Sequence, residues 1–189
     1  MNYTKRGPFC QIILYLGDFL DYNTMQKEVQ TMEIRFAEKK DIPGILELLR
    51  QVGKVHHDGR PDLFRPDAQK YDADQVASLL QDALTTIFVA AEGDRLLGYC
   101  FCMRKEHKCD SVFEDHASLY IDDLCIDEAC RGQGVGKALY QAAVEYAKDC
   151  KYYNVTLNVW TGNPGAVAFY EKLGLKPQKI GMEMILEDR

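Results

Sequence analysis

The stretch that decides the fold is Leu119-Tyr-Ile-Asp-Asp-Leu-Cys-Ile-Asp-Glu-Ala-Cys-Arg131-Gly-Gln-Gly134-Val-Gly136-Lys137-Ala-Leu-Tyr140. It reads as the end of a strand, Ala117 to Ile126, then a loop with three glycines in five residues, then a helix predicted over 134–149. Glycines let backbone N–H groups converge on one point, and a helix N-terminus adds positive potential there. Arg131 and Lys137 bring charge to the same place. The segment therefore has the makings of a phosphate or pyrophosphate site.

Spacing narrows the ligand. A P-loop requires G-x-x-x-x-G-K-S/T, but Arg131 stands five before Gly136 and Ala138 offers no hydroxyl for magnesium. The dinucleotide fingerprint G-x-G-x-x-G fails as well, because Gly132-Gln-Gly134 puts Lys137 where the third glycine belongs. ATP and NAD are both disfavoured.

Downstream of the loop, the pattern predicts a strand over 154–160, a short helix over 164–173 and a last strand near 180–186. Upstream, Met32 to Phe36 alternates like a strand. Asp41 looks like an N-cap with Pro43 in the first turn, and the apolar spacing predicts a helix over 42–52. Residues 53–71 are broken by Gly and Pro and read as a loop or short helices, with a second helix over 73–84. Two β runs, 86–92 and 96–104, flank Gly93-Asp94, which marks a hairpin turn. Antiparallel strands followed by strand–helix–strand predict an α/β fold: a mixed, mostly antiparallel central sheet flanked by helices. Residues 32–189 form one domain behind an N-terminal extension, 1–31, of uncertain structure.

Composition bounds the function. A net charge of −6 lacks the basic stripe of a nucleic-acid binder. The apolar run Cys10 to Leu16 behind Lys5-Arg6 is too short to span a bilayer, and no convincing cleavage site follows it. Seven cysteines without C-x-x-C spacing argue against zinc and against a secreted disulfide framework, so a reducing, cytoplasmic setting and no metal are expected. His56, His57, His107 and His116 show no metal spacing. Cys125, Tyr99, Phe101 and Trp160 lie in strand patterns and read as core; His56 and His57 read as loop histidines.

The pattern that fits the glycine loop is Arg131-x-x-Gly134-x-Gly136, and here the chain resembles the GNAT superfamily of N-acetyltransferases, whose Arg/Gln-x-x-Gly-x-Gly/Ala motif follows a strand and opens a helix. A second segment, Asn163-Pro-Gly-Ala166-Val-Ala-Phe-Tyr170-Glu-Lys-Leu-Gly174, is similar to that family's Asn-x-x-Ala-x-x-Phe-Tyr signature. Leu175 departs from it where the family carries an aromatic residue. The resemblance implies a GNAT-like fold over about 32 to 186 and transfer of an acetyl group from acetyl-CoA to an amine of a small molecule, peptide or protein. It matches the backbone of Leu124, Cys125 and Ile126 to the pantetheine strand. Arg131, Gly132, Gln133, Gly134, Val135, Gly136 and Lys137 match the pyrophosphate cradle, and Asn163 and Ala166 lie beside the CoA arm.

By the same resemblance, Tyr170 protonates the departing thiolate. Asp122 acts as a base through water, its side chain being one methylene shorter than the family's glutamate, or else both it and Asp123 bind the acceptor cation or anchor loops. Strand alternation places only one of Asp122 and Asp123 on the acceptor side. The alternative is a CoA-binding regulatory module without catalysis. The resemblance also admits a homodimer, since similar proteins pair through sheet edges or C-terminal strands.

Overall fold

The Gly93-Asp94 hairpin organises the sheet. In the computed structural model, which describes residues 31–186, it joins β2 (Thr85–Glu92) to β3 (Arg95–His107), with Gly93 turning at φ 57°. β1 (Glu33–Phe36) pairs antiparallel with β2, and β4 (His116–Ile126) pairs antiparallel with β3. β5 (Asn154–Leu157) lies parallel to β4, so the five strands run in sequence order. The mixed α/β sheet expected from the sequence is present. The N-terminal extension lies outside the described residues.

Period-two burial sorts the sheet into two faces. Ile87, Val89, Tyr99 and Phe101 meet Ile45, Leu48 and Leu49 of α1 (Ile42–Gly59) and Val76 of α2 (Ala73–Leu79). Phe88, Ala90, Cys100, Cys102, Leu119 and Ile121 meet Val135, Leu139 and Ala143 of α3 (Val135–Asp149). A fourth helix, α4 (Pro164–Lys172), follows β5. No helix among the described residues is long and apolar enough to cross a membrane.

Several elements differ from the sequence reading, and β3 runs three residues past 104, to His107. The first helix does not stop at 52: α1 runs through Gly53 to Gly59 and carries His56 and His57. A Cβ at Gly53 would lie 1.9 Å from the Ala68 carbonyl oxygen, so this glycine serves the close approach of the following loop rather than a break. α2 ends early, at Leu79, after a capping box in which Asp72 accepts from Gln75 N at 2.8 Å and Gln75 accepts from Asp72 N at 2.9 Å. β5 ends at Leu157, which leaves Trp160 in a turn, 44% exposed, rather than in the core. No strand forms near 180–186, where Ile180, Met182, Met184 and Leu186 stand exposed without a ladder partner.

Asp41 also differs in detail. It precedes α1 but makes no side-chain cap to it. Instead it is buried and accepts from Arg35 Nη1 at 2.6 Å, Arg35 Nη2 at 2.9 Å and Glu38 N at 2.8 Å, tying β1 to the helix start.

Candidate active site

Asp122 occupies a β-bulge. Across β3–β4, Phe101 faces Asp123 and Cys102 faces Ile121, so Asp122 has no partner in the ladder. The extra residue changes the phase of the strand: Ile121 and Leu124 both pack towards α3, while Cys125 packs towards α1. Asp122 and Asp123 consequently share the α1–α2 side of the sheet. The expectation that only one of them can reach that side is overturned, because alternation fails at a bulge.

Each carboxylate has its own partners. Asp122 Oδ2 accepts from Lys70 Nζ at 2.7 Å and from the Tyr71 hydroxyl at 2.9 Å. Asp123 Oδ2 accepts from the Tyr99 hydroxyl at 2.8 Å. Burial pushes the Asp123 carboxyl above the ordinary carboxylate range; Tyr99, Lys70 and His56 pull it down only in part, and Asp122 adds to the rise. Burial, with Asp122 beside it, also holds the Tyr71 phenol protonated.

The same strand then leads to the glycine loop. β5 pairs with β4 only from Ser118 to Ile121, whereas β4 continues to Ile126. Asp122 to Ile126 therefore lie on a stretch of β4 edge that β5 does not cover. Beyond it, the Asp127 side chain caps a 3-10 turn (Glu128–Cys130) by accepting from Ala129 N at 2.9 Å, and Gln133 Nε2 donates to the Ala129 carbonyl at 3.1 Å. Gly132 and Gly134 adopt φ 79° and 85°, the left-handed region that favours glycine. Gly134 offers no side chain to cap α3, so the first-turn N–H groups are left for a ligand. Arg131 and Lys137 are exposed around this helix end, whereas the Val135 side chain is buried and only its backbone can face an anion.

Gly136 is a packing position. A Cβ there would lie 3.3 Å from Phe169 Cζ and 3.4 Å from Ile126 Cγ1, so its absence lets α4 sit against the start of α3. Asn163 caps α4, its Oδ1 accepting from Ala166 N at 3.1 Å, which joins these two predicted residues to each other. Tyr170 is half-buried on α4. Burial raises its phenol pKa, and Cys100, Asp123, Tyr140 and Cys102 add to the effect.

Cys125 is buried, donates its thiol to the Leu48 carbonyl at 3.4 Å and is pushed up to about 12 by burial. It is a core thiol, as the sequence suggested.

Sequence reasoning missed Lys70, Tyr71, Tyr99 and Asp123 as site residues. It also missed an aromatic group: His56 stacks on Phe64 at 5.0 Å, Phe64 meets Trp160 edge-on at 5.6 Å, and Arg60 lies over Trp160 at 5.9 Å. Tandem Asp122-Asp123 in an otherwise apolar strand was the available signal for the bulge. Nothing local in the sequence points to Lys70. Among the described residues, no group of three or more His, Cys, Asp or Glu is placed to hold a metal ion.

The acetyltransferase (GNAT) family matches residues 51–175. This chain belongs to the GNAT acetyltransferase family. As a GNAT protein it is similar to an uncharacterized N-acetyltransferase of Methanocaldococcus jannaschii, 27% identical over 184 residues that make up 94% of this chain and 77% of the relative. The N-alpha-acetyltransferase 30 of Schizosaccharomyces pombe is 32% identical over 87 residues, 46% of this GNAT chain and 55% of the relative. Among solved structures, a mutant of the BH1408 protein of Bacillus halodurans superposes with a TM-score of 0.78 at 29% identity, covering 82% of this chain and 99% of that one. The antiparallel strands, the β4–β5 opening and the Arg131–Gly136 loop are thus set in a GNAT fold.

Proposed function

We propose that this protein transfers the acetyl group of acetyl-CoA to an amine by direct attack in a ternary complex. One observation carries the reading: a single strand, β4, presents two carboxylates at its bulge, an edge uncovered by β5 beyond it, and a glycine-lined helix N-terminus at its end. Acetyl-CoA supplies an activated thioester at one end and a pyrophosphate at the other, and this chain has a fitting group for each.

The N–H groups of Gly132 to Lys137, with Arg131, bind the pyrophosphate; the open backbone at Leu124, Cys125 and Ile126 pairs with pantetheine and polarises the acetyl carbonyl. Asn163 and Ala166 fix the helix that lies beside the CoA arm. Asp122 holds the incoming ammonium, as it holds Lys70 now. Asp123 takes the proton, because a carboxylate raised towards the working pH is the better base. Tyr170 donates a hydrogen bond to the departing sulfur. Full proton transfer from a phenol raised above about 10 to a thiolate near about 8.5 is uphill, so the thiol's proton comes ultimately from the amine.

The acidic pair supports a cationic primary amine as acceptor, and the His56–Phe64–Trp160 group offers a flat apolar surface beside it. The free thiols of the described cysteines support a reducing compartment such as the cytoplasm.

Calorimetric titration with acetyl-CoA tests the cradle, and a thiol-release assay against polyamines, amino acids, aminoglycosides and peptides tests transfer. Binding that is weakened at least about tenfold in Arg131→Glu, with thiol released for one amine class, supports the proposal. Binding without release for any amine points to the regulatory module; no binding removes the proposal.

A further inference from the structure

Lys70 is held where an acceptor amine has to sit. Its Nζ lies 2.7 Å from Asp122 Oδ2 and over the Tyr71 ring at 5.4 Å. Its charge also bears on Asp123, whose carboxyl it pulls down. Other lysine ion pairs differ in kind. Lys40 and Lys54 meet Glu38 and Asp58, side chains 60% and 58% exposed, whereas the Asp122 side chain is 14% exposed. Lys70 thus delivers its ammonium from the α1–α2 loop onto the carboxylate pair, while those lysines pair in solvent.

From this geometry we infer that the protein acetylates its own Lys70. The inference rests on the acetyl-transfer reading above. In the step, Lys70 Nζ loses a proton to Asp123 and its lone pair forms a bond to the acetyl carbonyl carbon. The carbon–sulfur bond breaks, and CoA leaves as the free thiol. One ammonium and one thioester become one N-acetyl-lysine, one thiol and one proton released to water, so atoms and charge balance without an oxidant or metal. Acetylation removes the Lys70 charge and with it the ion pair to Asp122, and so uncovers the carboxylates for a foreign amine.

The full chain is incubated with acetyl-CoA and no added amine, and lysine acetylation is followed by peptide mass spectrometry across a series of protein dilutions. An intramolecular reaction gives Lys70 acetylation at least about tenfold faster than at Lys40 or Lys54. The rate per molecule is unchanged on dilution and, with acetyl-CoA held below the Kd of the parent protein, falls about tenfold in Arg131→Glu, an exposed change that leaves the core untouched. Lys70 keeping pace with Lys40 and Lys54 overturns the inference, as does a rate that persists in Arg131→Glu or falls with dilution. The parallel thiol-release assay separates the two readings. Turnover of an added amine with Lys70 unmodified defeats self-acetylation alone; failure of both, with no acetyl-CoA binding, defeats the transfer reading as well.

Discussion

The Tyr99 hydroxyl donates to Asp123 Oδ2 at 2.8 Å, from one strand to the next and one residue past the bulge. Tyr99 is fully buried, so this bond is shielded from water and steadies the ionised carboxylate. Tyr99→Phe removes a contribution that lowers the Asp123 pKa, which therefore rises further. The acid limb of the pH dependence of kcat/KM is expected to move to higher pH, with a stability loss of about 1 to 2 kcal/mol. An unmoved limb would mean that Asp123 is not the base.

Replacing the carboxylate itself separates stability from activity. Burial raises the folded-state pKa of Asp123 above the unfolded value of about 3.9, so the folded chain binds this proton more tightly. The associated stabilisation is present below about pH 4 and disappears as pH rises through the folded-state value, leaving a penalty at neutral pH. Asp123→Asn keeps an acceptor for Tyr99 and removes that penalty. We expect a higher Tm near neutral pH, a gain that shrinks towards about pH 4, and acetyl transfer reduced on the order of a hundredfold. Equal Tm gains at both pH values would contradict the assignment.

The Arg35–Asp41 pair has the opposite sign. Burial pushes the Asp41 carboxyl up, but the hydrogen bonds from Arg35 and Glu38 N outweigh it and the net pKa is lowered. Its stabilisation is full above the unfolded value of about 3.9 and is lost as pH falls through the folded-state value. Asp41→Ala leaves half-buried Arg35 with only Glu33 at 3.8 Å and the Phe36 carbonyl at 3.2 Å, and is expected to cost about 2 kcal/mol in urea unfolding at neutral pH. The difference from the parent should narrow in acid.

The glycines of the cradle should fail in different ways. Gly134 has φ 85° and open space around a would-be Cβ, so Gly134→Ala costs about 1 kcal/mol of backbone strain and weakens acetyl-CoA binding without a clash. Gly136→Ala meets Phe169 at 3.3 Å and shifts the helix that carries Tyr170. Its expected signature is a lower kcat with a nearly unchanged Tm. Thermal unfolding and steady-state kinetics of the two variants distinguish strain from displacement.

Much of this architecture was legible because it depends on local chemistry. The hairpin turn and the strand–glycine–helix junction are each written in a few adjacent residues. The parts that were not legible depend on tertiary contacts. Gly53 looks like a helix stop until the Ala68 carbonyl is seen pressing on the position a Cβ would fill. The segment 180–186 alternates like a strand, yet among the described residues no neighbour completes a ladder with it. Lys70 sits 52 residues from Asp122 in the chain and reaches it only through the packing of the α1–α2 loop.

The bulge at Asp122 also fixes how close this fold stands to an inert version of itself. Before it, odd-numbered residues of β4 meet α3; after it, even-numbered ones do. Loss of one codon at position 122 would leave an uninterrupted strand in which Leu119, Ile121, Leu124 and Ile126 all keep their face. The hydrophobic core would scarcely register the change, while one of the two carboxylates would be gone. If Asp122 holds the acceptor amine as proposed, a version of the protein that keeps the scaffold and loses that grip is a single in-frame deletion away, and its visible cost to the fold is the bonds from Lys70 and Tyr71.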